Sequence, residues 1–457
     1  MTLEVVNPAT GARLASLPSD DAAAVEAKYL RARSAQPAWA AKPLDERLAA
    51  VANFRALVVE HAEALARTLT SEVGKPIAQS RNELKGVLPR LDFFLAEARD
   101  ALADETVHAA YDGSLEERIS REPLGVVANI SAWNYPWFVG SNVFVPALLA
   151  GNAVLYKPSE FAALTGLEIA RLLHESGVPE DVFVPVIGAG EAGGALVAQP
   201  VDGVFFTGSV ATGRRISQAL AGRMVKVQLE LGGKDPVYVC DDVEVARAAA
   251  SVADGAFYNT GQSCCSVERI YAHRAIFDSF VDAFVAEVKR FRRGDPMDEA
   301  TYLGPLTRAA QVEVLEAQVA DARAKGARVL VGGRRTGGHG FEATVLVDVD
   351  HTMSVMREES FGPVIGIMPV EDDGDAIRRM NDTDYGLTAG VFTPDRERAR
   401  AILAQVRSGS VYWNCCDRVS PRLPWSGVGD SGVGFTLSRA GIEAFTRPKA
   451  WHLRSAC

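Results

Sequence analysis

Between Phe257 and Arg269 the chain reads F-Y-N-T-G-Q-S-C-C-S-V-E-R, with two adjacent thiols, Cys264 and Cys265, behind a polar turn of Asn259, Gly261 and Gln262. A thiol becomes a nucleophile when its pKa falls. A helix N-terminus lowers it through backbone N–H groups and the helix dipole. A thiol just after a glycine-containing turn can sit at such a terminus. The same residues also suit a buried structural cysteine, because free cysteine packs as a small hydrophobe. Two other polar groups stand in settings that could serve a nucleophile. Glu230 lies between Leu229 and Leu231, before two glycines, and Asn134 stands in Trp133-Asn134-Tyr135-Pro136. A carboxylate in a partly apolar site has a raised pKa and can act as a general base. Taken alone, a glutamate at a strand end can be solvated and an asparagine before Tyr-Pro can be a turn residue.

The elements that must hold these groups follow from periodicity. Residues 44–73 carry Leu44, Leu48, Val51, Val58 and Leu65 at helical spacing, which predicts one long helix stopped by Gly74-Lys75-Pro76. Residues 105–123 alternate around Asp112-Gly113, a hairpin signal, and the strand-like end at 446–457 is expected to pair with it. From Pro123 strands alternate with helices, which implies a parallel, doubly wound sheet. Ligands bind such sheets at the carboxyl ends of the strands. Asn134, Lys157, Glu160, Gly188, Ser209 and Glu230 all fall at or just beyond such ends. A second α/β region begins near Lys234. It has a helix over 309–325, strands at 343–347 and 410–413, and the thiol segment.

Composition narrows the classes. A chain of 457 residues, 48% apolar and 23% charged, is an ordinary globular protein of two or three domains. Its net charge of −10 argues against a nucleic-acid partner or an anionic membrane surface. Six cysteines in this length are no disulfide framework, so a reducing, cytoplasmic home fits best. The N-terminal M-T-L-E-V-V-N-P lacks a basic-then-apolar leader. The most apolar stretch, 130–154, is interrupted by Asn134, Pro136, Asn142, Pro146 and Asn152, so no membrane span is expected.

Six segments together resemble the NAD(P)-dependent aldehyde dehydrogenase superfamily, over essentially the full chain. They are P-L-G-V-V-A-N-I-S-A-W-N-Y-P-W (123–137), K-P-S-E (157–160), F-F-T-G-S (205–209), L-E-L-G-G-K (229–234), N-T-G-Q-S-C (259–264) and E-S-F-G-P-V (359–364). The resemblance implies an α/β fold of two Rossmann-like doubly wound domains plus a small β extension for dimer or tetramer assembly. The dinucleotide-binding domain would take 1–104 and 124–232, the catalytic domain 233–430, and the extension 105–123 and 431–457. It makes Cys264 the nucleophile, Asn134 an oxyanion donor and Glu230 the base that hydrolyses a thioester. Cys265 is then a packing neighbour. For the cofactor it implies Trp133, Lys157, Ser159, Glu160, Gly188, Gly208, Ser209, Leu231, Glu359 and Phe361. Glu160 favours NAD over NADP, since a carboxylate repels a 2′-phosphate. No metal is expected.

The chain departs from the family pattern at three places. Val143 stands nine residues after Asn134 where many relatives have lysine, Gly429 replaces a lysine, and Thr436 replaces a glutamate. Any proton relay using those side chains is in doubt. Substrate selection is expected from Tyr135, Trp137, Tyr258, Ser263, Arg418 and Trp425. Arg418 and Arg422 are solvated or contact another subunit, or else bind a substrate carboxylate. The rival readings are a CoA-acylating dehydrogenase, a catalytically silent binding or structural protein, and a Cys/His hydrolase. Glu230 argues against the first, and the intact trio of Cys264, Asn134 and Glu230 against the second. Seven histidines, none in the motif segments, argue against the third.

Overall fold

Val126–Ile130, Ala153–Lys157 and Gly203–Thr207 are short, β-rich and almost wholly buried, as strands covered on both faces must be. In the computed structural model, which describes residues 1–455, they form the centre of a six-stranded sheet. The chain runs from Val126–Ile130 outward through Ala153–Lys157 to Phe183–Pro185. It then returns to Gly203–Thr207 on the other side and continues to Lys226–Glu230. The strand order therefore reverses between Val126–Ile130 and Gly203–Thr207, and a crevice opens at the carboxyl ends there. Helices Pro136–Leu149, Ala163–Glu175 and Val210–Leu220 cover this sheet.

A second sheet of seven strands, parallel except at one edge, carries the other domain. Apolar clusters lie on both of its faces, one around Tyr238, Leu315 and Met356, the other around Val252, Ile270 and Phe284. The helix Ala309–Ala324 and the strands Thr344–Val347 and Ser410–Trp413 are where the periodicity places them.

A third, three-stranded sheet joins Glu105–Ala109, Leu115–Pro123 and Thr446–Arg454, so the hairpin does pair with the chain's end. Residues 456–457 of the expected extension lie outside the described residues. The short strand Gly432–Val433, placed by sequence in that extension, instead pairs antiparallel with Lys226–Glu230. One other difference is local. The long helix predicted over 44–73 is two, Leu44–Glu60 and Ala62–Val73, meeting at His61 with φ −96° and ψ 5°. The apolar spacing carries on across the joint, so periodicity could not reveal it. Among the described residues no helix is long and apolar enough to cross a membrane.

Candidate active site

A cleft of about 1000 Å³ runs along the carboxyl ends of the first sheet. The sequence places Cys264, Glu230 and Asn134 in three separate segments, and the fold brings all three to its wall. Trp133, Lys157, Ser159, Glu160, Gly208, Ser209, Leu231, Glu359 and Phe361 line it as well. Gly188 does not. It makes a turn at φ 147° in which an added Cβ would meet Ser19 and Ala192.

The cleft suits a dinucleotide on its own chemistry. Ser209 caps the helix Val210–Leu220, its hydroxyl accepting from the Thr212 N–H, and leaves the helix N-terminus facing the cleft, a ready anion site. Lys157 Nζ lies 3.9 Å from Glu160, a cation–carboxylate pair suited to sugar hydroxyls. Glu359 is raised to about 8, chiefly by burial. The carboxyl accepts one hydrogen bond among the described residues, from the Gly233 N–H at 3.3 Å, and so retains capacity for donors inside the cleft. Trp133 and Phe361 meet edge to face with centroids 5.5 Å apart and form an aromatic wall near the thiol end.

The thiol loop is held in an uncommon backbone shape. After the helix Val245–Phe257, Asn259, Thr260 and Gly261 are all left-handed, with φ of 54°, 58° and 71°. A β-branched residue there is strained by roughly 1–2 kcal/mol. Side chains hold the shape: Gln262 Oε1 accepts from the Thr307 N–H at 2.9 Å, and Asn259 Nδ2 donates to the Gln262 carbonyl at 3.0 Å. The Gln262 carbonyl also accepts from Asn134 Nδ2 at 3.1 Å, which ties the amide to the loop two residues before Cys264. The second N–H of that amide remains for a ligand. The Cys264 backbone N–H donates to no other group among the described residues.

The expected helix N-terminus is not there. Cys264 follows a helix and lies in a turn before the strand Arg269–His273. Nothing depresses the thiol. A hydrogen bond with Cys265, then burial, then the Glu230 charge raise its pKa well above the ordinary value. The resting group is a neutral thiol, and its proton needs an acceptor. Glu230 meets that need. Burial raises its carboxyl to about 7, against the opposing pull of the Trp425 indole and the Cys264 thiol. Cys265 is buried, with its Sγ donating to Asp417 Oδ1 at 2.8 Å.

The residues expected to choose the substrate divide. Tyr135 stacks on Phe138 at 5.6 Å, with Lys75 Nζ 3.7 Å above its ring, and Asp417, Tyr258 and Cys265 act on its phenol. Tyr258 accepts from Asn82 Nδ2 at 3.1 Å, and buried Ser263 lies 3.5 Å from Cys265 Sγ. These surround the far side of the thiol pair. Arg418 and Arg422 are exposed and form no ion pair among the described residues. Trp137 is 1% exposed within the core of the first domain. Trp425 touches the base: its Nε1 donates to Glu230 Oε1 at 2.9 Å.

Sequence reasoning missed a buried charged group beside the thiols. Lys75 and Glu83 form a fully buried ion pair, and Glu83 also accepts from the Trp137 N–H. Arg90 lies over the Phe138 ring at 4.1 Å and donates to Asn142, with Glu83, both thiols and Asp417 acting on it. Burial raises Asp417 to about 6. The signal was present: Glu83 and Arg90 are seven apart on one helix and so share its inward face. Removing one partner of a buried pair leaves the other charge stranded. Lys75→Met is therefore expected to destabilise the fold by about 3 kcal/mol in urea unfolding.

Two Rossmann-like units around a cleft suited to a dinucleotide, with a thiol, an amide and a raised carboxyl at one end, fit the class of pyridine-nucleotide oxidoreductases. The profile of the Aldehyde dehydrogenase family matches residues 1–451, and the chain belongs to that family. It is 37% identical over 452 residues to the betaine aldehyde dehydrogenase of Cereibacter sphaeroides, covering 98% of this chain and 93% of that one. Among solved structures, an E. coli NADP dependent enzyme superposes with TM-score 0.96 at 32% identity, covering 100% of this chain and 95% of the other. An NAD-dependent aldehyde dehydrogenase from Sinorhizobium meliloti matches with TM-score 0.96 at 33% identity, covering 99% and 92%. The protein is thus an NAD(P)-dependent aldehyde dehydrogenase by family, and its relatives divide between the two nucleotides.

Proposed function

We propose that this chain oxidises an aldehyde to its carboxylic acid with NAD⁺, through a thiohemiacetal and a thioester on Cys264 that Glu230-activated water hydrolyses. The observation that carries this reading is the meeting of Cys264, Asn134 and a Glu230 carboxyl poised at about 7 on one wall of the nucleotide cleft. Glu230 in its carboxylate form accepts the thiol proton as the sulfur adds to the carbonyl carbon. The Asn134 amide and the Cys264 N–H stabilise the alkoxide that results. The cofactor, when bound, supplies the hydride acceptor that converts this adduct into a thioester. Glu230 releases the thiol proton to solvent and then takes a proton from water as that water attacks the thioester carbon; the C–S bond breaks, the acid leaves, and Glu230 returns this proton to the Cys264 thiolate.

The NAD preference rests on Glu160, whose carboxylate lines the cleft beside Lys157 and would accept from the ribose hydroxyls. Glu160→Ser removes a like charge from the position a 2′-phosphate would approach. It is expected to raise NADP affinity about tenfold, measured by nucleotide titration; unchanged affinity would show that the ribose lies elsewhere. The half-open sheet ending in Thr446–Arg454 supports a homodimer or homotetramer, checked by light scattering. The cysteines described are all free, which supports a reducing, cytoplasmic setting.

The reading is tested by following reduced nicotinamide with a panel of aldehydes, with and without coenzyme A. Acid product without coenzyme A is expected. Acyl-CoA as the obligatory product would establish the rival CoA-acylating activity, and no reaction with any aldehyde would leave a silent scaffold.

A further inference from the structure

We propose that Trp425 is a positioning residue for the general base, its indole fixing which carboxylate oxygen of Glu230 exchanges protons. The proposal rests on the reading of Glu230 as base and adds the device that orients it. Trp425 Nε1 donates to Glu230 Oε1 at 2.9 Å, and both side chains are buried. An indole N–H can only donate. Oε1 is therefore engaged as an acceptor, and a proton taken up by the carboxyl is favoured on the remaining oxygen. That leaves Oε2 as the freer oxygen for the thiol and for water.

The indole is itself fixed. Trp425 and Thr436 exchange both backbone hydrogen bonds, at 2.8 and 3.0 Å. Between them, Gly432 pairs with Glu230, and Ser431 binds the chain on either side of Gly232: its carbonyl accepts from the Leu231 N–H at 3.0 Å and its hydroxyl donates to the Gly232 carbonyl at 2.7 Å. Gly432 has φ 144°, and a Cβ there would lie 2.2 Å from the Leu229 carbonyl oxygen, so the segment approaches as closely as a backbone can. One segment, 425–436, thus grips the base by its backbone and by its side chain together. From the other elements around Glu230, the one titratable group acting on it is Cys264; Glu359, beyond Gly232, bonds to Gly233 and lies outside that pair.

A charge-assisted N–H donor favours the carboxylate over the acid. Trp425→Phe keeps most of the bulk and removes the donor. The acid limb of the kcat–pH profile is then expected to move up by about one unit, which at pH 7 lowers kcat about fivefold, with recovery at higher pH. The amplitude of the reduced-nicotinamide burst, and the KM for aldehyde at a pH above the shifted limb, should stay within about threefold of wild type. A second measurement needs no aldehyde. With 5-fluorotryptophan incorporated, the Trp425 resonance, assigned by its absence in Trp425→Phe, is expected to titrate near neutral pH and to become flat in Glu230→Gln. A resonance indifferent to pH would overturn the proposal. So would a Trp425→Phe enzyme with altered aldehyde preference and an unmoved limb, the behaviour of a substrate wall. Should Trp425→Phe fail to fold, the resonance is assigned by elimination against the other five tryptophans and its titration decides. Absence of turnover with every aldehyde would overturn the dehydrogenase reading alone, since the titration would stand.

Discussion

Cys264→Ala is expected to lose aldehyde oxidation by at least about 10⁴-fold while nucleotide binding is unchanged. Among the described residues Cys264 is the one thiol on the cleft wall, and loss of a nucleophile removes a whole reaction path rather than one hydrogen bond. The neighbour offers no rescue. Cys265 is buried, donates to Asp417 and is pushed up to about 11, burial and Asp417 outweighing the bond from Cys264 that pulls it down. Cys265→Ser is the matched control and should keep most activity, because a hydroxyl can make the same bond to Asp417. Turnover and nucleotide binding are measured on both variants. Residual oxidation near the wild-type rate in Cys264→Ala would mean that the covalent step belongs to another group.

Much of this was legible in the chain. The parallel strands are continuous buried runs, and a polar residue after such a run marks a cleft wall; Asn134, Glu160, Ser209 and Glu230 are all of this kind. What failed did so for physical reasons. The thiol was expected at a helix start because a glycine turn precedes it, but Asn259 and Thr260 also adopt left-handed φ, and three such residues end a helix rather than begin one. Trp425 was expected among the residues that select the substrate. Its contact with Glu230 spans 195 positions, and no local pattern encodes a pairing at that range. Glu83 and Arg90 received no role from the sequence; the packed structure buries both side chains and sets Arg90 within the field of both thiols.

The consequence of a neutral thiol is that the base acts twice, and this shapes the second large effect. Glu230→Gln keeps the side-chain length and an oxygen for the Trp425 indole, and removes the proton acceptor alone. Wild-type activity should fall on acidification through about pH 7, because Glu230, raised to that value by burial, is a carboxylate above it and a spent acid below it. In the glutamine variant this limb should vanish. Steady-state turnover at pH 8 is expected to drop about 10³-fold, since thioester hydrolysis then relies on unassisted water. One equivalent of reduced nicotinamide per site should still form in a burst, more slowly than in wild type, as the Cys264 proton must leave without its acceptor. Rapid-mixing absorbance separates the two phases. A full-rate burst followed by slow turnover would confine Glu230 to hydrolysis and leave the thiol proton to another route. An unchanged steady state would mean that a different group activates water, and the raised carboxyl beside Cys264 would then be a property of burial alone.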